Sequence, residues 1–197
     1  AGNEAIDRVI LPESLKKIGA GAFRGCLLLQ AAPLPQNLEQ VGAGAFENCF
    51  KLIRAILPPK VADIGPAAFK RCSVLKEAVL GESVKTIGEQ AFYGCLSLRQ
   101  VNLPQNIKAI GAMAFYRCKA LEEIHIPAQT ECVGDLAFAQ SGLKRVCLSG
   151  SGRHYGAGVF SGCLRLESAT LEEGVRHIGD KMFYGCNALG QMTLPDS

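Results

Sequence analysis

The chain repeats one stretch of sequence, which is clearest at Ile87-Gly88-Glu89-Gln90-Ala91-Phe92-Tyr93-Gly94-Cys95. The phenylalanine of this stretch recurs every 23 residues, with one step of 22, at Phe23, Phe46, Phe69, Phe92, Phe115, Phe138, Phe160 and Phe183. A fixed period of about 20 to 50 residues is typical of solenoids, in which each repeat stacks on its neighbours. The period therefore predicts about eight stacked coils.

Each repeat also contains a short strand, which is most regular in the copy that begins at Leu98. There, Leu98, Val101 and Leu103 are apolar and the residues between them are polar, which predicts a half-buried strand. Pro104 ends the strand because proline has no backbone N–H to donate to a ladder. We expect the glycine after the second isoleucine, as at Gly111, to release the backbone at a bend. The alanine–phenylalanine pair then favours a tight helical turn on the outer side.

The full pattern, L-x-x-I-x-L-P-x-x-L-x-x-I-G-x-x-A-F-x-x-C-x-x-L, covers the chain from about Ile6 to Pro195. It resembles the BspA-like, treponemal-type, leucine-rich repeat family. The resemblance implies an α/β solenoid, a right-handed coil of 23-residue units. It places a parallel sheet on the concave face and short helical or irregular turns on the convex face. It also implies a role in surface adhesion or host interaction, as in bacteria and some parasitic protists.

The repeats indicate one domain, because a solenoid grows by stacking and has no internal boundary. We expect residues 1–197 to form a single solenoid of about eight repeats. Solenoid ends normally need a polar capping unit for solubility, and neither end of this sequence shows one. The sequence therefore favours a segment of a longer array with flanking repeats or domains, and the alternative is that its ends dock on another protein.

Composition argues against several kinds of partner and cofactor. The chain has 21 basic and 18 acidic residues, a net charge of +3, whereas nucleic-acid binding usually requires a concentrated basic face. No run of 18 apolar residues is present, so we expect no membrane-spanning segment. No C-x-x-C pair occurs, and the histidines do not recur with acids or nucleophiles. We predict neither a metal nor a cofactor.

Cysteine is unusually regular in this chain. Seven of the nine cysteines follow a repeat phenylalanine by three residues: Cys26, Cys49, Cys72, Cys95, Cys118, Cys163 and Cys186. This pattern predicts a column of small buried thiols, because unpaired cysteine behaves as a small hydrophobic residue. Equivalent side chains in stacked coils point the same way, so we expect reduced thiols, which favours a reducing compartment or an anaerobic source.

Two columns of strand residues are expected to point outward on the concave face. The first column comprises Arg8, Ala31, Arg54, Glu77, Gln100, Glu123, Arg145, Ser168 and Gln191. The second comprises Ile10, Pro33, Ile56, Val79, Asn102, His125, Cys147, Thr170 and Thr193. The second column is apolar in its first four members, and a contiguous exposed apolar stripe is a candidate partner site. The alternative is that β-branched residues simply suit strands.

The candidate partner-binding residues on these columns are Ile10, Arg54, Ile56, Val79, Gln100, Asn102 and His125. A second candidate is the break in the repeat after Leu148, where Arg153, His154 and Tyr155 are predicted to form a protruding recognition loop. The alternative is a tolerated irregularity in which Tyr155 occupies the isoleucine position. The glycines of this break do not have the spacing of a dinucleotide-binding loop.

We predict a non-catalytic protein-binding module that presents its concave sheet to a protein partner, with cell-surface adhesion or ligand binding as its setting. Two alternatives are an intracellular or organellar scaffold subunit in a larger complex and a passive structural spacer. His125 and Cys147 occupy equivalent positions in adjacent units and resemble half of a nucleophile pair. An open concave sheet provides no closed pocket for catalysis, so we predict that the protein is not an enzyme.

Overall fold

The computed structural model describes residues 3–148, 154–173, 175 and 177–194. The strands within these residues are β1 (Lys17–Ile18), β2 (Gln40–Val41), β3 (Arg54–Ile56), β4 (Asp63–Ile64), β5 (Glu77–Val79), β6 (Thr86–Ile87), β7 (Gln100–Val101), β8 (Ala109–Ile110), β9 (Glu123–Ile126), β10 (Cys132–Val133), β11 (Arg145–Leu148), β12 (His154–Tyr155), β13 (Ser168–Leu171) and β14 (Gln191–Thr193). Each strand is short because each side of a coil is only a few residues long.

The strands form parallel sheets that run along the solenoid. One sheet of seven strands has the order β1-β2-β4-β6-β8-β10-β12. On another side of the coils, β3-β5-β7 and β9-β11-β13-β14 form two sheets. The family resemblance places this sheet on the concave side, so we call the outward surface of these two sheets the concave face. Each residue pairs with its equivalent in the next coil, as Arg54 pairs with Glu77 and Arg145 with Ser168. The predicted parallel-sheet solenoid is therefore confirmed.

A column of phenylalanine rings runs through the core. The eight rings form seven consecutive stacked pairs, with centroids 5.1–5.7 Å apart and planes within 16° of each other. The six interior rings are almost completely buried, whereas Phe23 and Phe183 at the two ends are half-buried. Such aromatic pairs contribute roughly 0.5–1.5 kcal/mol beyond the apolar area that they bury. The repeat length thus places one ring above another in every coil.

The prediction of α/β character with helical convex turns is wrong, since no helix occurs within the described residues. The backbone has positive φ two residues before and two residues after each column phenylalanine, as at Gln90 (56°) and Gly94 (69°). A helix needs negative φ at every position, so these residues prevent one. The Phe92 N–H accordingly donates to the Ala114 carbonyl of the next coil (2.8 Å), while the Cys95 N–H donates back to Phe92 (3.2 Å). We call these segments the convex turns.

The glycine after the second isoleucine is required by close packing of coils. Gly111 is absent from the residues with positive φ, so the expected release of the backbone is not its role. A Cβ built on Gly111 would lie 2.5 Å from the Glu89 backbone nitrogen of the preceding coil. Gly88 is equally close to the Pro66 nitrogen, at 2.5 Å. Only glycine allows the backbones of successive coils to approach this closely.

Six of the seven cysteines of the predicted column are buried, Cys186 at its C-terminal end is half-buried, and thiols of the column also form hydrogen bonds. The Cys95 Sγ donates to the Phe69 carbonyl of the preceding coil at 3.2 Å, and Cys72 and Cys118 make equivalent bonds at 3.1 and 3.3 Å. Burial raises the pKa of Cys95 and Cys118 well above the usual thiol range and raises the pKa of Cys49 to about 12. These three thiols are therefore protonated hydrogen-bond donors between coils, whereas a side-chain hydrogen bond with Cys163 lowers the pKa of Cys186 at the C-terminal end of the column.

Candidate functional site

The two predicted outward columns are present on the concave face. Strand β3 has an exposed–buried–exposed pattern, with Arg54 and Ile56 outward and Ala55 in the core. The first column is in register from Arg54 to Glu77 and from Glu123 through Arg145. The alternation follows from the two-residue period of strand side chains. Sequence reasoning therefore placed these positions on the outward side of the strands, although Glu77, Val79 and Cys147 are only partly exposed.

The N-terminal part of the concave face contains an apolar groove. The groove has a volume of about 480 Å³ and is lined by Gln30, Ala31, Ala32, Pro33, Leu34, Ile53, Arg54 and Ile56. Ile56 is 56% exposed and Ile53 is 40% exposed. Ile10, at the position equivalent to Pro33 in the preceding coil, is 89% exposed. We call Ile10 together with the groove residues the apolar concave patch.

Pro33 shapes this patch because it interrupts the ladder, as the sequence predicts for a proline without a backbone N–H. An isolated bridge between Arg8 and Ala31 replaces strand pairing at this level. Ile53 lies immediately before β3 and outside both predicted columns, so sequence reasoning missed it. The available signal was that its equivalents Lys76 and Arg99 are charged, which shows that this position is exposed.

Asn102 divides the concave face into two parts. Its Oδ1 accepts a hydrogen bond from the Leu80 N–H at 2.8 Å, and its Nδ2 donates to the Leu80 carbonyl at 3.0 Å. The side-chain amide thus takes the place of a backbone ladder between β5 and the residues after β7. Asn102 is exposed, yet these bonds give it a structural role that its predicted place in a partner site did not include. Val79, beside it, is only half-buried.

The C-terminal part of the concave face is polar and carries an ion pair, and a second pair lies nearer the N-terminus beside the apolar groove. Arg145 bonds Glu123 in the neighbouring coil, and Arg54 pairs with Glu77 at 3.3 Å nearer the N-terminus. Such exposed pairs contribute roughly 0.2–1 kcal/mol each. Gln100 and His125 are exposed, so both are accessible as predicted. An open depression of about 390 Å³ lies over His125 and its neighbours.

His125 and Cys147 are paired in register, as their equivalent positions predict. The Cys147 Sγ donates to Glu172 Oε1 at 3.2 Å. The thiol therefore has a carboxylate as a hydrogen-bond partner on the concave face. A nucleophilic cysteine needs a neighbour that stabilises the thiolate, and a carboxylate does the opposite.

Of the three candidate residues in the break after Leu148, only His154 is exposed in the described structure. Arg153 lies outside the described residues, and His154 is exposed in β12. The prediction that Tyr155 belongs to a protruding recognition surface is wrong, since Tyr155 is 2% exposed and pairs with Val133 in the isoleucine position. Burial raises the pKa of the Tyr155 phenol to about 12. The alternative, an irregularity that keeps the core filled, describes Tyr155 correctly.

The residues that the structure describes contain no helix long and apolar enough to cross a bilayer. They also contain no group of three or more histidine, cysteine, aspartate or glutamate side chains arranged to hold a metal ion.

The geometry defines a class of protein, the leucine-rich repeat solenoid. Its stacked coils bury the same apolar side chains in each repeat and expose strand residues that vary between repeats. The model of the BspA type leucine rich repeat region matches residues 2–122 and 85–197. The chain belongs to this family. None of the curated proteins compared matches the chain.

Several solved structures are similar to this chain. A leucine-rich repeat protein from Bacteroides ovatus is 32% identical, with a TM-score of 0.82 over 92% of this chain and 47% of its own. The Treponema pallidum leucine rich repeat protein is 22% identical, with a TM-score of 0.62 over 100% of this chain and 79% of its own. The pneumococcal vaccine antigen PcpA is 18% identical, with a TM-score of 0.57 over 98% of this chain and 46% of its own. The chain thus spans about half of the Bacteroides ovatus protein.

Proposed function

We propose that this chain is a non-catalytic protein-binding module and that its apolar concave patch holds the partner. The observation that carries the proposal is the groove of about 480 Å³ with Ile53 and Ile56 exposed at its wall. Isolated exposed apolar residues are ordinary, whereas a contiguous patch in a concavity is typical of interaction sites. Burying such side chains stabilises a complex by roughly 25 cal/mol per Å² of apolar surface removed from water.

The remainder of the concave face fits a polar rim around the patch. Interfaces commonly have an apolar centre with charged and hydrogen-bonding residues at the edge. Arg54 borders the groove directly, whereas Gln100 and His125 lie further along the same face. Because the strands of this face are held by ladder pairing to their neighbours, we expect little conformational entropy to be lost when a partner docks. The polar residues would then select the partner, while the patch would supply most of the affinity.

The setting of the protein stays a proposal, as does the absence of catalysis. The family resemblance favours cell-surface adhesion or ligand binding, and an intracellular or organellar scaffold is the alternative. Thiol titration under denaturing conditions distinguishes the two settings, because disulfides in the native protein would argue against the intracellular one. The hydrogen bond from Cys147 to Glu172 supports the proposal that the protein is not an enzyme.

The binding site is tested with two matched variants. Ile56→Glu places a charge in the groove, and Leu164→Glu places the same charge on a convex-turn leucine that is 62% exposed. Both sites are exposed, so we expect both variants to fold. Partner capture from the native source, with crosslinking and mass spectrometry, should fail for Ile56→Glu and persist for Leu164→Glu. Equal capture by the unmodified protein and by both variants would refute a concave site and favour the passive spacer.

A further inference from the structure

Two arginines flank the smallest side chain of the first concave column. Arg8 forms the isolated bridge with Ala31, and Arg54 occupies the equivalent position in the coil after Ala31. The Ile53 N–H donates to the Gln30 carbonyl at 3.2 Å, which holds these two coils side by side. Arg8, Ala31 and Arg54 are all exposed. Because Ala31 carries only a methyl group, the position between the two arginines is left open.

Arg8 is an arginine whose charge is not balanced by an ion pair. Within the described part of the chain, the arginines that form no ion pair are Arg8, Arg71, Arg99 and Arg117. Arg71 and Arg117 belong to the convex turns. Arg99 shares an open depression with Glu122 and Glu123. Arg8 is therefore the unpaired arginine that lies beside the apolar concave patch.

The two arginines suit a carboxylate as their common partner. Arg54 pairs with Glu77 through its Nε at 3.3 Å, so its two terminal nitrogens remain to donate. Hydrogen bonds from a guanidinium to a carboxylate are roughly twice as strong as those between neutral groups. A carboxylate placed above Ala31 would receive such bonds from both sides.

The second concave column continues the same arrangement with apolar side chains. Ile10 and Ile56 follow the two arginines by two residues and are 89% and 56% exposed. Pro33, which is also exposed, lies between them and follows Ala31 by two residues. An aliphatic side chain above Pro33 would therefore contact an isoleucine on either side. The patch thus combines a cationic position and an apolar position on one coil.

The distance between these two positions sets the spacing of the ligand. Residues two apart in an extended chain lie about 6.6 Å apart on the same face, at about 3.3 Å per residue. This rule holds for the protein and for an extended ligand alike. The flanking coils are two strand spacings apart, about 10 Å, which leaves room for one row of side chains between them. Side chains at positions i and i+2 of an extended segment therefore match the two positions.

We propose that the apolar concave patch and Arg8 bind an extended segment of a partner protein in which an acidic and an aliphatic residue lie two positions apart. The carboxylate lies above Ala31 between Arg8 and Arg54, and the aliphatic side chain lies above Pro33 between Ile10 and Ile56. This inference rests on the proposed function and adds the chemistry of the partner. It makes the two arginines, rather than the isoleucines, the residues that select the acidic segment.

The test uses variants that keep residue types already present in this column. Ala31→Glu places a carboxylate between the two arginines, as the equivalent positions Glu77 and Glu123 already do in other coils. Ala31→Ser, the residue type of Ser168, is the control at the same position.

A second pair of variants separates the two arginines from overall charge. Arg8→Gln/Arg54→Gln removes both cations of the site. Lys17→Gln/Lys85→Gln removes the same net charge from exposed residues outside the patch and serves as the matched control.

The ligand is found by selection from random octapeptides displayed on phage, with the unmodified protein as bait and the Ala31→Glu variant as counter-selection. We expect enrichment of peptides with aspartate or glutamate two positions from leucine, isoleucine or valine. An enriched peptide is then synthesised with a fluorescent label, together with a version in which the corresponding amide replaces the acidic residue. The unmodified protein and Ala31→Ser should bind the acidic version at least about tenfold more tightly in fluorescence anisotropy, as expected for hydrogen bonds to a charged group.

The variants decide whether the arginines cause this preference. Arg8→Gln/Arg54→Gln should bind both versions equally, and Lys17→Gln/Lys85→Gln should keep the preference. Enrichment without the acidic–aliphatic pair, equal affinity for both versions, or a preference that survives in the arginine variant would each overturn the inference. An equal loss in the lysine control would overturn it too, because it would indicate non-specific attraction.

Two other occupants are tested on the same proteins. Arginine-dependent binding of decanoate without peptide enrichment would assign the patch to a fatty acid. A dimer in sedimentation that Ile56→Glu abolishes would assign it to a second copy of the chain. Peptides that lack an acidic residue but lose binding with Ile56→Glu would overturn this inference and leave the proposed function intact. Enriched peptides whose binding is unaffected by Ile56→Glu would contradict the proposed concave site as well.

Discussion

Replacing Phe92 with alanine tests the phenylalanine column as the main element of the core. The Phe92 ring is 0% exposed and lies between Phe69 and Phe115, with centroid distances of 5.3 and 5.2 Å. Truncating a buried phenylalanine costs about 3–5 kcal/mol of stability. Two stacked contacts are lost in this case, each contributing roughly 0.5–1.5 kcal/mol. We therefore expect Phe92→Ala to lower the free energy of unfolding by about 5 kcal/mol.

Phe23→Ala provides the comparison, because Phe23 is half-buried and stacks on one ring only, Phe46, at 5.2 Å. In a solenoid each coil contacts only its neighbours, so an end ring supports one interface and an interior ring supports two. We expect Phe23→Ala to cost roughly half as much as Phe92→Ala, since half of the stacking is lost. Phe92→Leu keeps most of the volume but loses both ring stacks, so it should cost about 1–3 kcal/mol.

Urea unfolding followed by far-ultraviolet circular dichroism measures these differences, with the midpoint and the slope fitted separately. A loss for Phe92→Ala no larger than that for Phe23→Ala would refute the reasoning that stacked rings hold the coils together. A loss within the error of the titration would mean that the column is not part of the core.

Three further predictions concern the contacts between coils. Gly111→Ala should destabilise the protein by about 2 kcal/mol, because the added Cβ would lie 2.5 Å from the backbone of the preceding coil; unchanged thermal unfolding would contradict this. Asn102→Ala should cost about 1–2 kcal/mol in urea unfolding, since Leu80 loses two hydrogen bonds, and a neutral result would show that water replaces the amide. Burial raises the pKa of Cys49 from 9.0 to about 12, so the unfolded chain releases this proton first and stability should fall as the pH rises above 9.0. Alkylation mapped by mass spectrometry should accordingly modify exposed Cys132 before Cys49, and the reverse order would contradict the buried column.

The repeat period predicts the fold well because each position has one environment in every coil. The alignment of copies predicts the phenylalanine column, the cysteine column and the outward strand residues. It also places Tyr155 at the isoleucine position. The conformation of the convex turns was predicted wrongly, because the motif Ala-Phe is compatible with a helix. Only the structure shows the positive φ values on both sides of the ring. The role of Gly111 was also hidden, since a sequence does not distinguish a bend from close contact between coils.

The candidate site was harder to predict than the fold, because a site depends on differences between copies. The exposure of Ile10 and Ile56 followed from strand alternation, whereas Ile53 lies outside the strand and required the structure. The hydrogen bonds of Asn102 join residues 22 positions apart and have no local signal.

Site-specific photocrosslinking tests the central claim, that the concave patch is the partner site, most directly. A photoreactive phenylalanine analogue is inserted at Ile56 in one protein and at exposed Leu164 on the convex side in another. Illumination in extract of the native source should give a discrete protein adduct from position 56 and none from position 164. An adduct from position 164 alone, or from neither position, would contradict the assignment of the partner site to the concave face.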